Sequence, residues 1–578
     1  MFFKEDNSKK ALLFSLVLGA MLATSFFIVA VFFRGESFAA YAWLPKSAVL
    51  CALISCALGL VLAGAFYLLL TRFPVYWAEA SGHEEPSLGK RIVLSRKGIA
   101  FCGMVIFLFW LPITILMYPA VSNMDFFNQI YQFQASAPTY YTTMGIVVDA
   151  EFIDHHPVFD TLVFGLFYSL GDAIGSQNVG LFLLTLCESA SLAIMLGLAV
   201  CYLERLGLPG AVRVGALVFA IFFPYYAPFA ADSTKDTLFA IAFIPFVICY
   251  MEAFRTSGEV LRNKPFLVAF ILATGFCLLT KKLGVFICVP SLLLLLPFVK
   301  QGRRYLASAV VLVVVVFSFA IPNALHTALD VAPGGKQETL FIPLQQTVTL
   351  LKAHPEEFTD DDLAKIDKVI NLEKAQEKYD RLLADGVKNT FRPDVTSIQI
   401  SEYLSLWSRG ALRHPILYVE ATLMCSARLV LPSTSMGFDV DIASPEIRER
   451  WTRNFNSTSE GFDFKAERPT VLLDAATKVR DFLMNEVSSI PIIGLLTTRG
   501  FYGGWLPFVC IAITLFNRKR DCAALIPVIL TVLSLLISPG SLARYVHSLM
   551  FVIIPMVSWM LYSFRDKRVA VPKESLDK

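Results

Sequence analysis

The chain alternates long apolar runs with short polar connections over most of its length. Each run is about 16 to 24 residues long, and at 1.5 Å per residue such a run forms a helix that can cross the hydrocarbon core of a bilayer. Twelve runs of this kind occur at residues 11–33, 47–70, 98–118, 179–202, 212–230, 237–254, 265–280, 284–299, 305–323, 500–516, 522–538 and 545–564. The pattern predicts an all-α polytopic membrane protein with about twelve transmembrane helices.

The distribution of basic residues indicates how the chain is oriented in the cell membrane. If the N-terminus is cytoplasmic, about 24 Lys and Arg residues fall in the N-terminal segment, the short loops and the tail on that side. The short loops of the opposite side hold six, namely Arg34, Lys46, Lys235, Lys281, Lys282 and Arg544. Because cytoplasmic loops carry the excess of Lys and Arg, both termini are expected in the cytoplasm. The six outer cations are exceptions, and binding a ligand is one reason to keep them.

Two long polar stretches divide the chain, and both face outward in this orientation. The expected organisation is transmembrane helices in 1–118, an extracytoplasmic loop with the active site in 119–178, transmembrane helices in 179–323, a mainly helical extracytoplasmic domain in 324–490, transmembrane helices in 491–564 and a cytoplasmic tail in 565–578. Within the loop, Val158 to Leu170 is too short to cross the bilayer and predicts a helix that lies in the interface. Within the domain, residues 360–380 predict an amphipathic helix with a Phe-Thr-Asp start.

Composition supports a membrane protein and narrows its function. Hydrophobic residues make up 56% of the chain and charged residues 17%, against about 25% charged in an average soluble protein, so a water-soluble globule is excluded. With 50 Lys and Arg against 47 Asp and Glu, the net charge is +3 without a basic cluster, which argues against nucleic-acid binding. The 11 cysteines form no C-x-x-C pair, so neither a zinc site nor a disulfide framework is predicted.

The region from Gly98 to Glu204 contains no Lys or Arg, although its outer part is rich in acids. That part holds Asp125, Asp149, Glu151, Asp154, Asp160 and Asp172 together with His155 and His156. Carboxylates without internal counter-ions raise one another's pKa and favour a proton, a metal ion or a cationic partner. The alternative for most of them is a solvated loop. Asp125 and Asp154 are the strongest candidates, because one follows the third span directly and the other begins a His-His-Pro string, which also fits a simple turn before a helix.

Lys235, Lys281, Lys282 and Arg544 each lie where an apolar run begins or ends, far apart in sequence. If these side chains converge, they form a phosphate-binding rim, since lysine offers a point charge and arginine a bidentate fork. The alternative is that they extend to anionic lipid head groups. That alternative fits Lys235 alone equally well and the adjacent pair less well.

An outer loop with an early acid, an interfacial helix led by His and Pro, many spans and a late outer domain resemble the GT-C class of membrane glycosyltransferases. This resemblance rests on Asp125 and Asp154-His155-His156-Pro157. From about residue 110 onward the chain more closely resembles an uncharacterised multi-pass membrane family of Gram-positive bacteria. The shared strings are Tyr118-Pro119 with Asp125 and Gln129, His155-His156-Pro157, Ile342-Pro343-Leu344-Gln345-Gln346, His414-Pro415-Ile416-Leu417-Tyr418 and Ala543-Arg544-Tyr545.

The GT-C resemblance implies transfer of a sugar from a polyprenyl-phosphate donor to an envelope glycan, lipid or protein at the outer face of the membrane. One acid would take the acceptor proton, a second would orient the acceptor or a metal, and histidines and cations would bind the donor. The implied catalytic residues are Asp125, as the base, and Asp154, and the implied substrate-binding residues are His155, His156, Lys235, Lys281, Lys282 and Arg544. Because the class includes metal-independent members, a divalent cation, Mg²⁺ or Mn²⁺, is left open as a cofactor.

A multi-pass transporter or a flippase of an envelope precursor is the main alternative, since twelve spans with both termini inside is also a common carrier layout. Carriers place ionisable groups near the bilayer midplane, often in repeated halves. Here the clear mid-span acid is Glu188, and the sequence has no detectable internal repeat. A third interpretation makes the outer domain a binding module anchored by the spans. Whether Asp125, His155, Lys281 and Arg544 lie together distinguishes an enzyme from these alternatives.

Overall fold

A computed structural model gives the fold for residues 5–33, 43–80, 87–134, 150, 152–437 and 467–565. This part of the chain is mainly helical. Its two strands are the two-residue segments β1 (Ile153–Asp154) and β2 (Ala332–Pro333), which pair in parallel. The acids Asp149 and Glu151 and the cation Arg34, which the sequence singled out, lie outside the described residues.

The helices fall into a first series that ends before β2 and a second series that follows it. The first is α1 (Glu5–Phe32), α2 (Ala48–Ala80), α3 (Arg96–Leu116), α4 (Met124–Phe133), α5 (Val158–Ala173), α6 (Gln177–Arg205), α7 (Gly210–Phe222), α8 (Tyr226–Ala230), α9 (Lys235–Arg255), α10 (Lys264–Thr280), α11 (Leu283–Leu295) and α12 (Arg303–Ala328). The second is α13 (Gln337–Ala353), α14 (Asp360–Asp367), α15 (Leu372–Glu377), α16 (Asp385–Lys388), α17 (Ser397–Arg413), α18 (Pro415–Val430), α19 (Thr470–Asp481), α20 (Leu506–Asn517), α21 (Ile526–Leu535), α22 (His547–Phe551) and α23 (Ile553–Tyr562).

Six of these helices, α1, α2, α3, α6, α9 and α12, are long and apolar enough to cross a membrane. The segment Ala543–Phe551 and the helix Ile553–Tyr562 together add a seventh crossing, with a bend of 46° between them, if they form one span. Shorter apolar helices include α7, α10 and α11. The prediction of an all-α polytopic membrane protein is therefore confirmed for the described residues.

The run at residues 212–230, predicted as one span, is two helices. α7 ends at Phe222, and Phe223 is extended because it precedes Pro224, whose ring disfavours helical geometry in the residue before it. The short helix α8 follows after this break. An apolar run therefore does not guarantee one continuous helix when a proline lies inside it.

Helix α9 runs through the centre of the bundle. Its apolar stretch is 83% buried, whereas that of α12 is 17% buried, which places α12 at the periphery. Phe243, Phe246 and Tyr250 of α9 have essentially no exposed surface, and the helix packs against α6, α10 and α22. α9 is thus the central helix, and the positions of the surrounding helices are described relative to its two ends.

Helices α1 and α2 form an N-terminal pair that packs very closely. A Cβ atom on Gly19 would lie 2.4 Å from the carbonyl oxygen of Gly59, so this crossing needs glycine. The pair is joined to the later part of the chain in the second half of α1, where Trp505 Nε1 donates to Ser25 Oγ at 2.7 Å. The end of α1 and the start of α2 therefore have a defined place in the bundle.

Helices α13 to α17 pack around a small core of their own, which includes Leu344, Val348, Ile366 and Tyr403. The amphipathic stretch 360–380 is two helices rather than one, because Asn371 caps a new helix, α15. The predicted Phe-Thr-Asp start is confirmed, since Thr359 forms a capping box with Asp362. Helix α18 leaves this core and packs partly on the membrane bundle.

Candidate functional site

Four segments that are far apart in sequence meet at one end of the bundle. They are the start of α4, the start of α9, the turn after α10 and the turn before α22, and they carry Asp125, Lys235, Lys281 and Arg544. Each side chain projects from the end of a helix rather than from its middle. The ends of helices therefore build the site.

Local hydrogen bonds fix the first two segments against each other. The side chain of Asn123 accepts from the backbone N–H of Asp125 at 3.0 Å and so starts α4. Val121 and Asp232 form a parallel bridge, and Ser122 Oγ donates to the carbonyl of Ser233 at 2.8 Å. The loop after α3 is in this way tied to the loop that starts α9.

Asp125 lies between two cations. Its Oδ2 atom is 2.9 Å from Lys235 Nζ and 2.9 Å from a terminal nitrogen of Arg544. Arg544 also approaches Asp236, with Nε 3.8 Å from Oδ2, and Lys281 donates to the other oxygen of Asp236. The five side chains form one continuous ionic network, called here the ion network.

The ion network carries one surplus positive charge, because three cations face two carboxylates. Burial alone raises the pKa of the Asp125 carboxyl, but Lys235 and Arg544 outweigh burial and hold that pKa well below its ordinary value. The Asp125 carboxylate is therefore ionised at neutral pH. A further anion that enters the network meets three cations and two carboxylates, which is one positive charge in excess.

His156 is the third partner of Lys235, with Nδ1 3.1 Å from Nζ. An ammonium group only donates, so Nδ1 accepts and the proton of the neutral ring is on Nε2. Burial and the charge of Lys235 lower the pKa of His156 well below its ordinary value. His155 packs edge-on against this ring at 4.4 Å between centroids, and burial lowers its pKa as well. Both histidines are therefore neutral at pH 7.

Asp154 and Lys282 form a separate, more exposed pair beside the ion network. Their charged atoms are 3.1 Å apart, and Lys282 also donates to the backbone carbonyl of Asp154. His326, at the end of α12, lies 3.9 Å from the same carboxylate. Of the eight predicted site residues, the structure brings together Asp125, His156, Lys235, Lys281 and Arg544, in part through Asp236. His155 contacts His156, and Asp154 and Lys282 lie at the edge of this group.

Two acids of the site were missed or undervalued in the sequence. Asp236 is buried and takes part in the ion network. Its position directly after Lys235 is the feature of the sequence that could have identified it. Asp160, in the first turn of α5, is fully buried, and neither carboxylate oxygen has a hydrogen-bond partner in the described part of the chain. Burial raises the pKa of Asp160 well above its ordinary value, which favours the neutral acid.

The described residues contain no group of three or more His, Cys, Asp or Glu side chains arranged to hold a metal ion. The positive charge that this site offers to an anion comes from Lys235, Lys281 and Arg544. The geometry provides three cations, two carboxylates and two neutral imidazoles, which a chain of pairwise contacts connects.

Residues 5–574 match the model of a family described as a family of unknown function, DUF6020. No curated protein and no solved structure matches the chain. Since the match covers nearly the whole sequence, the chain belongs to the DUF6020 family. That description names no reaction, so function has to be argued from the site.

Proposed function

We propose that this DUF6020 protein is a membrane glycosyltransferase that transfers a sugar from a polyprenyl-phosphate donor to a cell-envelope acceptor at the outer face of the membrane. The main support is the convergence of Lys235, Lys281 and Arg544 on two carboxylates. A surplus positive charge in a partly buried site suits the phosphate of a lipid-linked sugar. A carboxylate beside that charge suits the proton transfer that the reaction requires.

The proposal includes a GT-C-like arrangement of about twelve membrane passages, with both termini in the cytoplasm and residues 324–490 outside. It is supported by the two ends of α9. The ion network lies at the first end, whereas Arg205, Arg255 and Arg520 gather at the other. Excess Arg and Lys belongs to the cytoplasmic side, so the ion network would face outward.

On this proposal the donor phosphate binds by exchanging ion pairs. Its oxygens take the places that the carboxylates of Asp125 and Asp236 now hold on the three cations. Asp125 then loses the charges that depress its pKa and becomes a stronger base. The substrate itself would thus activate the catalytic group.

The chemical step follows from this exchange. Asp125 accepts the hydroxyl proton of the acceptor while that oxygen forms a bond to the anomeric carbon. The bond between the anomeric carbon and the phosphate oxygen breaks, and its electron pair stays on the phosphate. Lys235, Lys281 and Arg544 stabilise the charge that develops there. Asp154 and Lys282, at the edge, would orient the acceptor, and Nε2–H of His156 is a donor for a sugar or phosphate oxygen.

A flippase or transporter of an envelope precursor is the second candidate, and one observation favours it. Glu188 is buried within the candidate span α6, where its Oε2 accepts from Ser233 Oγ at 2.7 Å. Ionisable groups inside spans commonly mark transport pathways. Movement of a lipid-linked sugar across proteoliposomes without any transfer to an acceptor would favour this candidate.

The decisive experiment uses the purified full chain in proteoliposomes with a radiolabelled polyprenyl-phosphate hexose and cell-envelope acceptor. Asp125→Asn is expected to lower the transfer rate by about 10² to 10⁴-fold, the usual contribution of a general base. A parallel arm with a chelator decides whether Mg²⁺ or Mn²⁺ takes part.

The matched control is Asp361→Asn, an exposed acid on α14 that pairs with Lys365 in the same helix. This variant should transfer at the rate of the parent. Equal transfer rates for the parent and Asp125→Asn would remove Asp125 from the mechanism. If the parent neither transfers the sugar nor hydrolyses the donor, the proposal that the protein is an enzyme is wrong.

A further inference from the structure

Helix α18 and the last turn of α17 expose large apolar side chains that soluble proteins normally bury. Leu412 is 84% exposed, Ile416 83%, Val419 58% and Leu423 44%. Because a helix turns about 100° per residue, the last three lie along one face of α18. We call these four residues the apolar stripe.

The opposite face of α18 is well packed. Tyr418, Ala421 and Cys425 are buried, and the amide of Gln346 on α13 donates to the carbonyl of Tyr418 at 2.9 Å. The exposed polar residues Arg413 and Glu420 border the apolar stripe on one side. The stripe is thus one flank of an ordered, amphipathic helix, and not a consequence of local unfolding.

The position of α18 in the bundle indicates what covers the stripe. Its second half packs against the segment Phe501–Trp505, which starts a short apolar helix. Met424 and Ala427 belong to one apolar cluster with Leu22 and Phe26 of α1. Ser426 Oγ also donates to the carbonyl of Leu536, just after α21, at 3.1 Å. α18 is therefore held where two apolar helices of the bundle begin or end.

The apolar stripe adjoins the end of α21. Leu533 on α21 and Ile537 just after it are also exposed large apolar side chains. Between α18 and the end of α21 lies a groove of about 390 Å³, lined by Trp407, Tyr418, Val419, Leu423, Leu536 and Ile537. A surface that is continuous with exposed faces of membrane helices needs the same cover as those faces, which is lipid.

We propose that α18 is embedded in the lipid leaflet at this end of the bundle, and that the groove between α18 and α21 holds an acyl chain of a bilayer phospholipid. The apolar stripe contacts lipid chains, whereas Arg413 and Glu420 lie at the border with water. The inference does not depend on the reaction proposed above.

The embedded helix has a direct link to the site. Ser541 Oγ donates to the carbonyl of Cys425 on α18 at 2.7 Å, and Arg544 follows three residues later in the same turn. Lipid contacts on one side of α18 therefore help to fix the turn that presents Arg544 to Asp125.

The test places the photo-crosslinking residue benzoylphenylalanine at Ile416 or Val419 of the full chain, reconstituted in phosphatidylethanolamine and phosphatidylglycerol with a clickable acyl chain. Both positions are exposed, so the bulky group requires no repacking of a core. The expected result is lipid labelling at least fivefold above that of the control position Ser401, an exposed polar site on α17. Labelling equal to the control would overturn the proposal.

Two other outcomes would assign the surface differently. Cross-linking of Ile416 to a second copy of the chain in place of lipid would make the apolar stripe a dimer interface and contradict embedding. If added undecaprenyl phosphate competes away phospholipid labelling at Val419, the groove takes that lipid instead. As an independent measurement, Ile416→Trp should gain fluorescence that brominated phospholipids quench, while Ser401→Trp should not.

Discussion

The two ends of α9 both carry ion clusters, yet the clusters are built differently. At the end of the helix a single acid, Glu252, receives Arg255 through two nitrogens, both at 2.7 Å, with Arg205 at 3.2 Å and the hydroxyl of Tyr202 at 3.3 Å. At its start, two acids share three cations, and these five side chains come from four segments. Both clusters hold one cation more than acids, but each oxygen of Glu252 already accepts two hydrogen bonds from two neighbouring helices. We call the Glu252 cluster the saturated cluster.

The difference is the one expected between a structural cluster and the proposed binding site. Arg255 and Glu252 are neighbours on one helix, so their pair forms whenever α9 forms, and the planar guanidinium matches the carboxylate. Lys235 and Lys281 are point charges on flexible stems, which change partners at little cost. A network that is dense, charged and easily rearranged is what an incoming phosphate requires.

The largest expected effect is on stability and should fall on the saturated cluster. Glu252→Gln leaves Arg205 and Arg255 without their counter-ion, and we expect a loss of about 3 kcal/mol in the free energy of unfolding. Asp125→Asn should lose much less, because Asp236 still faces Arg544. Thermal and denaturant unfolding in detergent micelles measure both. A larger loss for Asp125→Asn than for Glu252→Gln would contradict the comparison.

An intermediate effect concerns anion binding. Inorganic phosphate should raise the midpoint of thermal unfolding of the parent, since it binds the folded site and not the unfolded chain. Arg544→Lys replaces a guanidinium, which can donate two hydrogen bonds to one phosphate, by an ammonium point charge. We expect the affinity of this variant for phosphate to fall about tenfold, or about 1.4 kcal/mol. Arg205→Lys is the matched control at the saturated cluster and should bind phosphate as the parent does. Equal losses for the two variants would make the phosphate effect nonspecific.

The smallest expected effect is a slope of stability with pH. The pKa of His156 is well below its ordinary value of about 6.5, so below pH 6.5 the unfolded chain binds a proton that the folded protein does not. Stability should therefore fall as the pH drops from 7 to 5, and His156→Asn should flatten part of this slope. Asp125 does not contribute in this range, because its stabilisation is lost only below its unfolded pKa of about 4. An unchanged slope in His156→Asn would mean that the ring titrates normally.

Much of the site could be predicted from the sequence because its signals are local. Outer loops of membrane proteins are poor in lysine and arginine, so Lys235 and Arg544 are conspicuous in loops that are predicted to face outward. A long stretch without any cation exposes Asp125 in the same way. What could not be predicted is which charge meets which, since the partners of Asp125 are 110 and 419 residues away.

The fold was predictable in kind and less so in detail. Apolar runs identify membrane helices, but Pro224 breaks one run, and Asn371 divides an amphipathic stretch into two helices. Helix α18 was hidden for a different reason. It is too short for a span and carries Glu420 and Arg428, so it reads as part of a soluble domain. Its place at the bundle depends on packing that a single sequence does not reveal.

The bend of 46° before the last helix determines the position of Arg544 relative to Asp125. A straight continuation of α23 would move a residue eight positions before the bend sideways by roughly 9 Å, far beyond hydrogen-bond reach of Asp125. Tyr226 donates to the carbonyl of Met550 at 3.0 Å, next to the bend, so a backbone group there has a protein partner. A single hinge thus redirects an arginine that would otherwise anchor a helix at the lipid boundary, and a change that straightens this hinge would dismantle the site while leaving the bundle intact.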